Sequence, residues 1–237
     1  NVSDLWPESA VQLGVINKGL IFNIAERLEA FFYRKAWLVT GQSTSILKSV
    51  HQRFPEVKTY HLSNGVDTEL FGPENYNSKL RLELAPKGKV IVYYGGLHGL
   101  AQGLDQLLYA AKDVSSNVLF LLMGDGPEKE QLIKLAEQLN LLNVRFLEPV
   151  EKMKMPAILA SVDICAVPLK TNLLGAVPSK LYEAMASQKP VILIAQGEAS
   201  DIVEGSKAGV VVNPGDIQGI VNAINYLADN PKTREEL

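Results

Sequence analysis

From residue 89 onward, short apolar runs alternate with stretches whose apolar positions recur at helical spacing. Runs at 89–94, 117–123, 144–147, 163–167, 190–195 and 209–212 read as strands, and none alternates strictly with period two. Between them the spacing predicts helices over 103–112, from Pro127 onward with Leu132, Leu135, Ala136 and Leu139 as the inner stripe, and over 155–160, 178–187 and 216–229. Strands that are apolar throughout, each followed by a helix, belong to a parallel sheet covered on both faces. The fold class expected is α/β, a doubly wound parallel Rossmann-like sheet over residues 73–237, with a partial second α/β domain over residues 1–72.

The first seventy residues are thinner in pattern. Ile16–Lys35 reads as an amphipathic helix striped by Ile16, Leu20, Ile24, Leu28 and Phe31, followed by a strand at 36–40, a helix at 43–53 and a strand at 59–62. Two such units are too small for an independent core, so they are expected to pack on the larger domain or be poorly ordered. Pro73–Leu84 is polar and mixed, and the boundary is placed near Gly72.

Composition changes this picture little. The 237 residues are 47% hydrophobic and 21% charged, with a net charge of −3 and no long run of one sign, so no nucleic-acid surface is expected. The single cysteine, Cys165, lies in an apolar strand and rules out an intrachain disulfide framework; a reducing compartment follows. No stretch approaches the ~20 apolar residues of a membrane span and no signal peptide opens the chain. The chain starts without an initiator Met, and Thr233–Leu237 looks like a helix cut short, so a longer protein is expected around it. His51, His61 and His98 lack metal-ligand spacing, and no metal site is expected. His98 reads as a surface-loop residue, and Tyr93 and Tyr94 as packing residues at a strand end. Phe22, Phe31, Phe32 and Tyr33, near Lys18, Arg27, Arg34 and Lys35, suit a membrane surface or, better, helix packing against more of the first domain.

In a doubly wound sheet, ligands bind beyond the carboxyl ends of the strands. There the sequence places Gly95-Gly96-Leu97-His98-Gly99 and Gly124-Asp125-Gly126-Pro127, turns that let a phosphate approach the backbone. No acidic residue ends the second strand, which departs from the dinucleotide fingerprint. Pro178 starts a helix whose first turn carries Ser179 and Lys180, an anion site at the positive end of the dipole. Glu183, one turn on, reads equally as an acid complementing the dipole or as a carboxylate accepting a ribose diol.

Taken in order, these segments resemble the family-4 retaining glycosyltransferases of the two-domain GT-B fold. The resemblance runs through Asn64-Gly65-Val66-Asp67 with Phe71, Gly95-Gly96 with Gly103, Gly124-Asp125-Gly126-Pro127, Ser179–Ala186 with Lys189-Pro190-Val191, Asp201-Ile202-Val203, Gly209 and Asn213-Pro214-Gly215-Asp216. Asp4-Leu5-Trp6-Pro7 and Val177-Pro178-Ser179-Lys180 are similar to the branch that builds bacterial surface polysaccharides and O-antigens. It implies a cytoplasmic enzyme, peripheral at the inner membrane face, that takes a hexosyl or amino sugar from a nucleotide-sugar donor to a glycan or lipid-linked acceptor without a metal. Lys180 and Glu183 are its catalytic candidates. Its donor-binding set is Gly95, Gly96, Gly124, Asp125, Gly126, Pro149, Val150, Ser179, Lys180 and Glu183. The departures are Gly175 where the family carries the first of two glutamates, Gly96 and Gln102 where an Arg and a Lys grip the diphosphate, and Glu148 for a glycine in the base-contacting segment 146–150. A sugar-nucleotide epimerase, a phosphorylase or an inactive nucleotide-binding module of the same fold remain alternatives.

Overall fold

The structure, a computed structural model, describes residues 1–237. The chain begins with helices α1 (Glu8–Gln12) and α2 (Leu20–Lys35), then strand β1 (Val39–Gly41), helix α3 (Thr44–Arg53) and strand β2 (Thr59–His61). β1 and β2 pair in parallel, with Val39 opposite Thr59. This unit has a core of its own, built from Val2, Leu5, Val39, Ile46, Val50, Phe54 and Val57. Arg53 ties its helices together: the guanidinium forks onto Glu29 at 2.8 Å through both terminal nitrogens and reaches Glu8 at 2.7 Å. Glu29 is almost fully buried, so this bidentate bond is what makes its charge tolerable there.

α2 buries Phe22, Ala25 and Glu29, while Leu20, Ile21, Ile24, Leu28, Phe31 and Phe32 face outward. The expected stripe is present but turned away from the unit's core. Spacing identifies an apolar face without saying what covers it.

The main body follows: helix α4 (Ser78–Leu84), strand β3 (Val90–Gly95), helix α5 (Asp105–Ala111), strand β4 (Val118–Met123), helix α6 (Lys129–Gln138), strand β5 (Val144–Leu147), helix α7 (Met155–Ser161), strand β6 (Ile164–Pro168), helix α8 (Ser179–Ala186), strand β7 (Val191–Ile194), helix α9 (Glu198–Ser206), strand β8 (Gly209–Val212) and helices α10 (Ile217–Asp229) and α11 (Pro231–Glu236). All six strands are parallel in the order β5-β4-β3-β6-β7-β8. β3 is thus the strand at which the winding reverses, and the crevice between the ends of β3 and β6 is the switch point. One face of the sheet packs on α5, α6 and α10 through residues such as Leu104, Phe120, Ile192 and Ile224. The other packs on α4, α7, α8 and α9 through Ile91, Leu121, Leu159, Leu181 and Val203.

Three helices escaped the sequence pattern: α1, α4 and α9. α4, inside the segment read as polar and mixed, is capped by Asn77, whose side chain accepts from Leu80 N at 3.0 Å. It rests on the sheet body through Leu80 and Leu84 alone, and Arg81 joins Asp163 at 3.0 Å. α9 buries only Ala199 and Val203. One pair at i and i+4 is too little apolar signal to distinguish a helix from a loop.

The first unit sits on the main body largely through polar groups. Glu198, at the start of α9, accepts from Thr44 N and Oγ1 at 3.0 Å and from Ser45 N at 3.2 Å, so it satisfies the first two N–H groups of α3 from across the interface while Ser43 caps the third at 3.2 Å. Asn64 donates to the Val177 carbonyl at 3.3 Å. Partial burial works against the Glu198 charge, but the bonds from Thr44 and Ser45 outweigh it and hold the carboxyl below its ordinary range. A depressed carboxyl stabilises the docked arrangement above its unfolded-state pKa and loses that contribution as pH falls through the folded value. Glu198→Ala is expected to cost about 1 kcal/mol at neutral pH, as for loss of a helix cap. Hydrogen exchange at the Thr44 and Ser45 amides should accelerate while β3 and β4 stay protected; unchanged exchange at those amides would sink the assignment.

Candidate active site

The loops leaving β3 and β4 emerge side by side, with Gly95 paired to Met123. They rest backbone on backbone. Gly96 N donates to Met123 O at 2.9 Å, His98 N to Asp125 O at 2.8 Å and Glu128 N to His98 O at 2.9 Å. A Cβ on Gly124, whose φ is +142°, would lie 1.9 Å from the Gly96 carbonyl oxygen, so no side chain fits there. The floor of the crevice is therefore bare peptide.

Above this floor lies an open cleft of about 500 Å³ lined by Gly95, Gly96, Gly124, Asp125, Pro149, Val150, Ser179, Lys180 and Glu183, together with Tyr93, Leu97, Met123 and Met155. Nine sequence-selected positions converge here from three strand-end loops and one helix. Gly126 lies outside the lining, beneath the second loop, where the closest backbone neighbour is His98. Glu148 also points elsewhere, its carboxylate pairing with Lys129 of α6 at 2.9 Å, so this departure from the family pattern leaves Pro149 and Val150 in the cleft. Gln102 is not among the lining residues.

Two charges face the cleft from α8, and neither is neutralised. Lys180 is partly buried and makes no ion pair; Nζ donates to Tyr94 Oη at 3.1 Å and stands 4.4 Å from the centre of that ring. Burial pushes the Lys180 ammonium down to about 8, with Glu183 pulling it back up. Glu183 is half-buried and accepts no hydrogen bond; burial lifts its carboxyl above the ordinary range, with Lys152 and Lys180 opposing. The helix start itself is uncapped by any side chain, which leaves its first N–H groups open to a ligand. An anion with hydroxyl donors attached satisfies all of these groups at once: negative charge against Lys180 and the helix start, paired hydroxyls against Glu183.

Three residues differ from their sequence reading. His98 is fully buried rather than on the surface, because its backbone locks the two glycine loops together and draws the ring inward. The ring lies 5.9 Å from that of Tyr94 and 6.2 Å from Phe146, and both ring nitrogens are without a hydrogen-bond partner. Burial and then Lys129 push its pKa down, with Asp125 and the Met123 carbonyl opposing, so the ring is neutral. Tyr93 is buried as expected, yet its hydroxyl reaches the cleft, its chain partners being the sulfurs of Met123 at 3.5 Å and Met155 at 3.8 Å. Tyr94 holds Lys180. An apolar strand run gives no sign of either role.

Gly175, the position of the missing glutamate, is buried with φ +73°. A Cβ there would lie 2.5 Å from Ser43 Oγ and 2.6 Å from Ile46 Cγ1, so the loop is pressed onto α3 and has no room for a carboxylate. No group of three or more His, Cys, Asp or Glu side chains is arranged to hold a metal ion.

Because the folded pKa of Lys180 is depressed, the part-buried ammonium lowers stability below about pH 8, and this cost lifts as pH rises toward the unfolded value of about 10.4. Lys180→Met is accordingly expected to be more stable than the parent by ~1–3 kcal/mol at pH 7. The advantage should shrink in denaturant titrations at pH 10; a pH-independent difference would show that the ammonium is solvated.

Comparison with known proteins agrees with this geometry. Residues 77–237 match the family model "Glycosyl transferases group 1". The chain is 25% identical over 235 residues to the probable glycosyltransferase WbjE of Pseudomonas aeruginosa, covering 96% of this chain and 59% of that one. It is 29% identical over 154 residues to the putative colanic acid biosynthesis glycosyl transferase WcaI of Escherichia coli, covering 62% of this chain and 37% of that protein. It superposes on Anabaena Alr3699/HepE, solved in complex with UDP, with a TM-score of 0.78 and 25% identity over 99% of this chain and 63% of that one. The chain thus spans between about a third and three-fifths of the length of the curated relatives it matches. A parallel sheet wound about this switch point, the cleft at its strand ends and the match over most of the chain lead to one conclusion: it belongs to the glycosyl transferases group 1 family.

Proposed function

We propose that the cleft binds a nucleoside-diphosphate sugar, and that within its whole protein this chain transfers the sugar, a hexosyl or amino-sugar residue, with retention to a glycan or lipid-linked acceptor in surface-polysaccharide biosynthesis. The observation that carries the reading is the part-buried Lys180 ammonium without a counter-anion, set over bare glycine backbone at the mouth of the switch point. In this role Lys180, the first N–H groups of α8 and the loop amides stabilise charge developing on the leaving diphosphate. Glu183 accepts the ribose hydroxyls, and Pro149 and Val150 border the base. The UDP in the Anabaena structure supports uridine diphosphate as the first probe. The polysaccharide assignment rests on the colanic acid relative and on the Val177–Lys180 segment. No helix is long and apolar enough to cross a membrane, and an enzyme of the cytoplasm acting at the inner membrane face is part of the proposal.

A second reading, nucleotide binding without transfer, draws on Gly175, where no carboxylate fits beside the donor loop. Incubation of the whole protein with labelled UDP-sugar separates the two: release of UDP dependent on an acceptor supports transfer, and binding without turnover supports the module.

Glu183→Gln keeps the size of the side chain but leaves one acceptor oxygen in place of two. It is expected to cost ~1–3 kcal/mol of UDP affinity without unfolding the chain. A 2′,3′-dideoxy nucleotide should bind the parent about as weakly, and lose little more on mutation. Additive losses in calorimetry would mean that Glu183 does not meet the ribose.

Metal-independent binding is also part of the proposal, with Lys180 supplying the neutralising charge. UDP affinity is expected to be unchanged by excess EDTA; loss on chelation and recovery with magnesium or manganese would contradict it.

A further inference from the structure

We propose that Tyr94 is the positioning residue for the candidate diphosphate site, fixing the Lys180 ammonium above Gly96 without neutralising it. The inference rests on the nucleoside-diphosphate reading of the cleft for its consequence, and on Tyr94 itself for its geometry.

The side chain of Tyr94 is fully buried and rooted in the core beneath α5 and α10, among Val92, Leu104, Leu107 and Phe120. Its hydroxyl donates to the Leu97 carbonyl at 2.6 Å and accepts from Lys180 Nζ at 3.1 Å. One phenol thus ties the first glycine loop to the cation of α8. The space for that cation exists only because residue 96 has no side chain: a Cβ there would lie 2.6 Å from Lys180 Nζ and 3.5 Å from Tyr94 Oη. The ammonium is clamped between the phenol and the bare peptide of Gly96.

The chemistry of the clamp matters as much as its position. Burial drives the Tyr94 hydroxyl well above its ordinary range, so it stays protonated and contributes a dipole and a ring quadrupole but no charge. A carboxylate in that place would hold the lysine equally well and cancel it. The charged groups around Lys180 are Glu183 on its own helix, Asp125 from the loop after β4 and Lys152 ahead of α7, with neutral His98 beyond Tyr94; none forms an ion pair with it. The full charge is left for an incoming anion.

The test uses the full chain carrying lysine labelled with carbon-13 at Cε. In the parent, the Lys180 signal, assigned by its absence in Lys180→Ala, should be shifted upfield by the Tyr94 ring. Tyr94→Phe should keep that shift but lower the pH at which the signal titrates, since the hydroxyl acceptor is gone; Tyr94→Leu should abolish the shift. In calorimetry Tyr94→Leu should weaken UDP and inorganic pyrophosphate about tenfold and uridine less than twofold, with Tyr94→Phe in between. Adding Lys180→Ala to Tyr94→Leu should cost little more. An unshifted Lys180 signal in the parent, or an unchanged titration in Tyr94→Phe, would overturn the contact; because Tyr94→Phe is nearly isosteric, that arm stands if Tyr94→Leu fails to fold. Equal losses for UDP and uridine would overturn the positioning role. If the parent binds neither UDP nor pyrophosphate, the diphosphate reading fails with its consequence here, while the lysine signal decides the Tyr94 contact by itself.

Discussion

The cleft depends on the direct approach of two peptide loops. β3 and β4 are neighbours in register, so the segments that leave them start only a strand spacing of about 4.8 Å apart. Gly96 and Gly124 let these segments touch, and the backbone bonds at His98 and Glu128 hold them there. Any side chain at residue 124 would force the loops apart and lift the floor. With the floor bare, charge has to arrive from the other side of the switch point, on α8. In this chain the cation comes from α8, and Gly96 leaves the room for it.

Much of this was legible in the sequence, for reasons that differ by element. Six apolar runs announce a doubly covered sheet because only strands buried on both faces dispense with alternation, as β4 does from Val118 to Met123. The gathering of Gly95, Gly96, Gly124, Ser179, Lys180 and Glu183 at one cleft was legible because the strand ends of such a fold open onto turns and helix starts. Tyr94 was not. Inside the run Val90–Tyr94 it reads as one more core residue, and its part in the cleft follows from where β3 lies relative to α8, a relation no local pattern encodes. His98 was misplaced for a related reason: a histidine between glycines looks exposed until the loop is seen to fold back on its neighbour.

The same helix carries Lys180 and Glu183, both perturbed by burial and neither in an ion pair, although they lie only three residues apart. An ion pair between them would make the empty site more stable and less useful. Tyr94 claims the ammonium and leaves the carboxylate without a hydrogen-bond partner in the cleft. The cleft thereby presents a free ammonium and a free carboxylate side by side, groups whose chemistry suits an anion and hydroxyl donors respectively.

The seam at Glu198 has a mechanical meaning. Where two bodies meet through apolar area, swinging them apart exposes that area to water, and the resistance grows with every degree. Here a carboxylate across the seam satisfies the first two N–H groups of α3. Swinging the units apart hands the freed N–H groups and carboxylate to water, so the net loss stays at about the 1 kcal/mol of a helix cap. The seam between the first unit and the sheet body thus carries directed polar bonds that fix how α3 meets α9 and weaken once the Glu198 carboxyl is protonated.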